Sequence, residues 1–157
     1  MKMETHHRHL SDREFIGQLE SGLMDPCLFN HEAHIRLAWL YLTTTDFETG
    51  LKCISKAIRR LDDQHSSGTK YHHTITVAFS LRIYLLIQEK RTNSWKQFIE
   101  ANPELNFPKK LLRQHYSEEI LYSDIARRTF ITPDKPGVHL QAEYINATCF
   151  LKIPLHL

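Results

Sequence analysis

The sequence predicts an all-α fold, a compact irregular helical bundle followed by a short non-helical C-terminal tail. Apolar residues recur at helical spacing along most of the chain, and helix-capping residues precede these segments. One segment is apolar almost all round, which is typical of a buried central helix. Since 157 residues fit one domain, we divide the chain into a flexible leader (1–10), a helical domain (11–137) and a tail (138–157).

The first two helices are predicted from their N-caps. Ser11 and Glu14 form a capping-box pattern ahead of helically spaced apolar residues, which predicts a first helix over about residues 11–23. Asn30 is a favourable N-cap for a second helix over residues 31–44.

The next two helices differ in their apolar patterns. Asp46 can cap a third helix with one apolar face and charged residues elsewhere, so we expect this helix at the surface. Its apolar face comprises Phe47, Leu51, Ile54, Ile58 and Leu61. The polar residues 62–69 predict a loop. A fourth helix, over about residues 71–90, is apolar almost all round, and we expect it to pack with the second helix at the centre of the bundle.

The rest of the chain is predicted to form short helices and a tail. Asn93 or Ser94, Ser117 and Ser123 are candidate N-caps for these short helices. The tail, residues 138–157, begins with alternating apolar and polar residues, which is typical of a strand. Because one strand is not stable alone, the tail packs on the helices, pairs with a second copy in a homodimer, or is disordered.

Charge and cysteine usage narrow the class of protein. The net charge of +2 is too small for a strongly basic nucleic-acid-binding protein. The three cysteines form no C-x-x-C pair, and free thiols fit a reducing compartment. The N-terminus lacks the apolar stretch of a signal peptide, and no apolar run approaches the ~20 residues of a membrane span. We therefore expect a cytoplasmic protein that binds neither nucleic acid nor membrane.

Histidines on apolar helix faces are the candidate functional residues. His31 and His34 lie three positions apart on the second helix and share an apolar face. His72 shares a mostly apolar face near the start of the fourth helix. If these helix ends pack together, His31, His34 and His72 would converge as ligands for a divalent metal, Zn or Fe, with one coordination position open.

Two enzymatic interpretations use these residues. With a metal, bound water or O₂ would be the reactive species. Without one, a histidine would act as general base on a small molecule held in the apolar core, and His72, Tyr71 and Thr76 would be the catalytic group. The metal interpretation is weakened because these faces carry no Asp or Glu for the E-x-x-H pattern of bundle metal sites.

A non-enzymatic interpretation stays open beside these two. The chain would be a binding or interaction module, and its buried histidines would form a hydrogen-bond network that fixes the register of the helices. Whether the protein is an enzyme is not decided by the sequence.

Three short motifs carry a family resemblance. They are F-x-H-x-x-H over residues 29–34, K-Y-H over residues 70–72 and H-Y-S over residues 115–117. In this order they resemble an uncharacterised family of small bacterial all-helical proteins, and the resemblance covers about residues 15–135. It implies an all-α fold but no activity, and in the family pattern position 73 is more often acidic, which makes His73 a weaker ligand candidate. The residues it implicates are Phe29, His31, His34, Lys70, Tyr71, His72, Thr74 and Thr76.

Overall fold

The computed structural model describes residues 6–135, which fold into a helical bundle and contain no strand. This confirms the predicted all-α fold, while the predicted tail lies outside the described residues. Short 3₁₀ helices span His7–His9, Pro26–Leu28 and Pro103–Asn106. The α-helices are α1 (Asp12–Ser21), α2 (His31–Thr44), α3 (Phe47–His65), α4 (His73–Glu89), α5 (Trp95–Ala101), α6 (Pro108–Arg113), α7 (Glu118–Leu121) and α8 (Asp124–Arg128).

Side-chain caps set most helix starts where the sequence predicted them. The Ser11–Glu14 capping box is formed at α1, and Asn30 accepts a hydrogen bond from the backbone N–H of Ala33 at the start of α2. Equivalent caps begin α3, α5, α7 and α8 at Asp46, Ser94, Ser117 and Ser123. Each cap gives a partner to one N–H that the first turn of a helix leaves unpaired.

Three helix boundaries differ from the prediction. Helix α4 begins at His73, two residues later than predicted, because His72 is its N-cap. Helix α1 ends at Ser21 because Gly22 adopts the left-handed conformation (φ +75°), so Leu23 lies outside the apolar stripe and is 77% exposed. Helix α3 continues to His65, four residues beyond Leu61, which converts half of the predicted loop into helix.

Helices α2 and α4 occupy the centre of the bundle, as their apolar patterns predicted. Helix α2 packs on α3, α4 and α5, and α4 also contacts α3, α6 and α8. The larger core contains residues of α1, α2, α3 and α5 with the second half of α4. A smaller core joins the first half of α4 to Leu51 of α3, to α6 and α7, and to Tyr116 and Phe130. Within residues 6–135, no helix combines the length and apolarity that crossing a membrane requires.

Residues 6–10, which the sequence assigned to a flexible leader, pack against α2. The Arg36 guanidinium is only 2% exposed and donates hydrogen bonds to the backbone oxygens of His7 and Leu10 and to the Asp12 carboxylate. It also lies over the ring of Phe15, 4.6 Å from the ring centre. Residues 6–10 are mostly polar, and their position is fixed by hydrogen bonds from the Arg36 guanidinium of α2.

Candidate functional site

His31 joins the start of α2 to the 3₁₀ helix Pro103–Asn106. Its Nε2 atom lies 2.7 Å from the carbonyl oxygen of Leu105, and its ring packs 5.5 Å from the ring of Phe79. Because a carbonyl oxygen only accepts, Nε2 carries the proton and donates it. The imidazole therefore ties two segments together that are far apart in sequence.

His72 is held by backbone groups at both ring nitrogens. Nε2 donates to the carbonyl oxygen of Leu121, at 2.8 Å, and Nδ1 accepts from the N–H of Ile75 as the N-cap of α4. These bonds need a neutral ring, and burial lowers the pKa of His72. The predicted catalytic hydroxyl of Thr76 donates to the backbone oxygen of His72, so both side chains are used in local structure.

The predicted metal ligands do not converge. Within residues 6–135, no group of three or more His, Cys, Asp or Glu side chains is arranged to hold a metal ion. His31 turns toward Leu105, whereas His72 turns toward Leu121 on α7. Packing of α2 on α4 is therefore correct as predicted, but it does not assemble His31, His34 and His72.

His34 is hydrogen-bonded through Nδ1, whereas His72 is bonded through both ring nitrogens and His31 through Nε2. Nδ1 donates to the backbone oxygen of Asn30, at 2.9 Å, so the proton of the neutral ring is on Nδ1. Nε2 has no hydrogen-bond partner among the described residues. Burial lowers the pKa of His34, while the hydrogen bond to Asn30 opposes this shift. The ring is thus a neutral, oriented base.

His34 lines a cavity of about 380 Å³ beside the junction of α3 and α4. Its wall is mostly apolar, and the polar groups beside His34 come from Asp62, His65, Ser66 and Lys70. The Phe29 ring lies 4.2 Å from the His34 ring. The apolar wall comprises Phe29, Ile58, Leu61 and the ring of Tyr71. Phe29, His34, Lys70 and Tyr71, which the family resemblance implicates from two separate motifs, thus meet at one cavity.

Asp62 shapes this cavity and was missed by the sequence analysis. Its carboxylate is 6% exposed and accepts the backbone N–H groups of Lys70 (2.8 Å) and Tyr71 (2.6 Å) and the Ser66 hydroxyl (2.5 Å). Burial alone would raise the pKa of Asp62, but these hydrogen bonds hold it below its usual value. Asp62 lies four residues after Ile58 and therefore continues the apolar face of α3. An acidic residue on an apolar helix face was the signal in the sequence that could have indicated a buried carboxylate.

Tyr71 forms the boundary between this cavity and the outer face of α3. Its hydroxyl lies 2.9 Å from Nδ1 of His73. The guanidinium of Arg59 lies 3.8 Å from the centre of its ring. The predicted catalytic hydroxyl is therefore engaged with His73, and the ring, rather than the hydroxyl, is the contribution of Tyr71 that we assign to the His34 cavity.

Comparison of the chain with protein-family models, curated proteins and solved structures gives no match. The family resemblance of the three motifs stays a prediction. The geometry around His34 is therefore the basis for a functional proposal.

Proposed function

We propose that this protein binds a small molecule in the His34 cavity and that His34 acts on it as a general base without a metal. The observation that supports this is a neutral imidazole at a cavity with a mostly apolar wall, whose Nε2 has no hydrogen-bond partner within residues 6–135. Cavities of about 300–1,000 Å³ with a few polar groups are typical ligand sites, and 380 Å³ falls in this range.

The surroundings of His34 suit proton abstraction. The Nδ1 hydrogen bond to Asn30 orients the ring and stabilises the imidazolium that forms when Nε2 takes a proton. Phe29, Ile58 and the Tyr71 ring would hold an apolar part of the substrate, while Lys70 would attract an acidic group. The substrate class is thus a small molecule with an apolar body, a carboxylate or similar anion, and an acidic proton.

The structural interpretation of the histidines is favoured for His31 and His72. Each donates Nε2–H to a backbone carbonyl of a distant segment, which satisfies a buried polar group and fixes the register of the helices. We therefore assign them structural roles and reserve the chemical role for His34. Two expectations accompany this proposal: a cytoplasmic location, from the free thiols, and no nucleic-acid partner, from the net charge of only +2.

The proposal is tested by ligand-observed NMR with a library of small aromatic and aliphatic carboxylates. We expect a subset to bind the wild type and to lose at least about tenfold in affinity with His34→Gln. His31→Gln is the matched control, because it makes the same change three residues earlier and should keep binding. Binding that is equal in His34→Gln and wild type would contradict the proposed site.

The base itself is tested with bound molecules that carry an acidic C–H group. In D₂O, the wild type should exchange this hydrogen faster than His34→Gln at equal occupancy, because only the wild type offers Nε2. Equal exchange rates in the wild type and His34→Gln at equal occupancy would contradict the general-base role, even if His34→Gln binds the molecule more weakly.

A further inference from the structure

A second cleft, of about 740 Å³, runs along the outer face of α3 and ends at His73. Its floor includes the buried side chain of Leu51. Four cations lie along this face, namely Lys52, Lys56, Arg59 and Arg60. The cleft thus combines positive charge with a small apolar surface.

Two of these cations are already engaged. The Lys52 ammonium pairs with the Glu48 carboxylate at 2.7 Å, and Arg60 donates to the backbone oxygens of Glu20 and Ser21. Lys56 and Arg59 make no ion pair with a carboxylate among the described residues. The charge available to a ligand is therefore that of Lys56 and Arg59.

Arg59 and His73 are oriented by the same tyrosine. The guanidinium of Arg59 stacks over the face of Tyr71, and the hydroxyl of Tyr71 bonds Nδ1 of His73. When that hydroxyl donates, the proton of the neutral ring is on Nε2, so His73 offers a donor to the cleft. Of the two lining carboxylates, Glu48 is paired with Lys52, whereas Asp63 makes no ion pair among the described residues, so the two unpaired cations Lys56 and Arg59 outnumber the one unpaired carboxylate. Guanidinium, ammonium and imidazole N–H groups together suit an oxyanion.

We propose that Lys56, Arg59 and His73 form an oxyanion site for a phosphate monoester whose apolar group lies against Leu51. A guanidinium fork matches two phosphate oxygens, and a phosphate supplies more negative charge than a carboxylate. This site is separate from the His34 cavity, since the two cavities share no lining residue, and it does not depend on the proposed base.

The test is calorimetric titration of the full chain with phenyl phosphate, benzoate and benzyl alcohol. Phenyl phosphate should bind most tightly and benzyl alcohol should not bind measurably. Arg59→Gln should weaken phenyl phosphate at least about tenfold and Lys56→Gln about threefold. Arg91→Gln, the control for lost charge, should change the affinity less than about twofold, because Arg91 follows the end of α4 about 25 Å from His73.

Three results would overturn the oxyanion site. They are equal weakening by Arg59→Gln and Arg91→Gln, benzoate binding as tightly as phenyl phosphate, and benzyl alcohol binding as tightly as phenyl phosphate. Lys56→Gln keeps the test decisive if Arg59→Gln disturbs Tyr71, because Lys56 is exposed and pairs with no carboxylate in the described part of the chain. His34→Gln should bind phenyl phosphate like the wild type, so failure of one proposal is distinguishable from failure of the other.

Discussion

Acidification should destabilise the fold through His7, whose side chain is completely buried. Neither ring nitrogen has a hydrogen-bond partner among the described residues, and the nearest carboxylate oxygen, on Glu32, is 3.5 Å from Nε2. Burial lowers the pKa of His7 from 6.5 to about 4, with further lowering by His6 and the Arg36 guanidinium and an opposing effect of Glu32. The folded protein therefore keeps this ring neutral in mild acid.

The size and sign of the effect follow from linkage. A folded-state pKa below the unfolded value means that the unfolded chain takes up the proton first as the pH falls. The contribution of the neutral His7 ring to the free energy of unfolding is then fully present above about pH 6.5. It is lost as the pH falls from 6.5 to about 4. At 1.36 kcal/mol per pKa unit, the shift from 6.5 to about 4 corresponds to a decrease of about 3 kcal/mol in the free energy of unfolding.

Urea unfolding of the wild type and His7→Phe at about pH 7.5 and about pH 4.5 measures this contribution. Phenylalanine keeps a ring beside Trp95 and Phe15 but cannot take up a proton. Between the two pH values, the wild type should lose about 2–3 kcal/mol more than His7→Phe. The exposed neighbour supplies the control His9→Phe, which should follow the wild type. An unchanged pH dependence in His7→Phe would refute the reasoning, whatever its stability at neutral pH.

Three further substitutions test the framework around the sites, each by urea unfolding. Asp62→Ala leaves two backbone N–H groups without an acceptor and should lower the free energy of unfolding by about 2–4 kcal/mol. It should also weaken ligand binding beside Tyr71. A decrease in stability below about 1 kcal/mol would contradict the role of the buried carboxylate. Arg36→Met removes hydrogen bonds to His7 and Leu10 and should cost about 2–4 kcal/mol, whereas near-neutral stability would show that residues 6–10 are not held. Gly22→Ala should cost about 1 kcal/mol because of φ +75°, and a gain in stability would contradict that backbone conformation.

Local sequence signals predicted the helices well because capping and amphipathicity act within a few residues. The Ser11 capping box, the apolar face of α3 and the all-round apolar α4 each appear as expected. Contacts between distant segments were not accessible in this way. Arg36 donates to a carbonyl 29 positions away, and nothing in the polar leader indicates this bond.

The convergence of the three histidines failed for a geometric reason. Residues share a helix face at this spacing only where the backbone is helical, but His72 is the N-cap of α4 and has extended backbone (φ −135°, ψ 110°). Its ring is therefore directed by the cap and by Leu121 rather than by the helical period. His34 lies inside a helix, where the helical period holds, and the structure places it at the cavity, whereas the sequence proposed it as a metal ligand. Asp62 was missed because it was assigned to a loop.

The protonation state of His34 tests the central claim most directly. A long-range ¹H–¹⁵N correlation spectrum at about pH 7, assigned by the signals that vanish in His34→Gln, reports which ring nitrogen carries the proton. The structure predicts a neutral ring with the proton on Nδ1, a bare Nε2, and no titration until below its usual pKa of 6.5. An imidazolium at neutral pH, or a proton on Nε2, would contradict the claim that His34 is a free base.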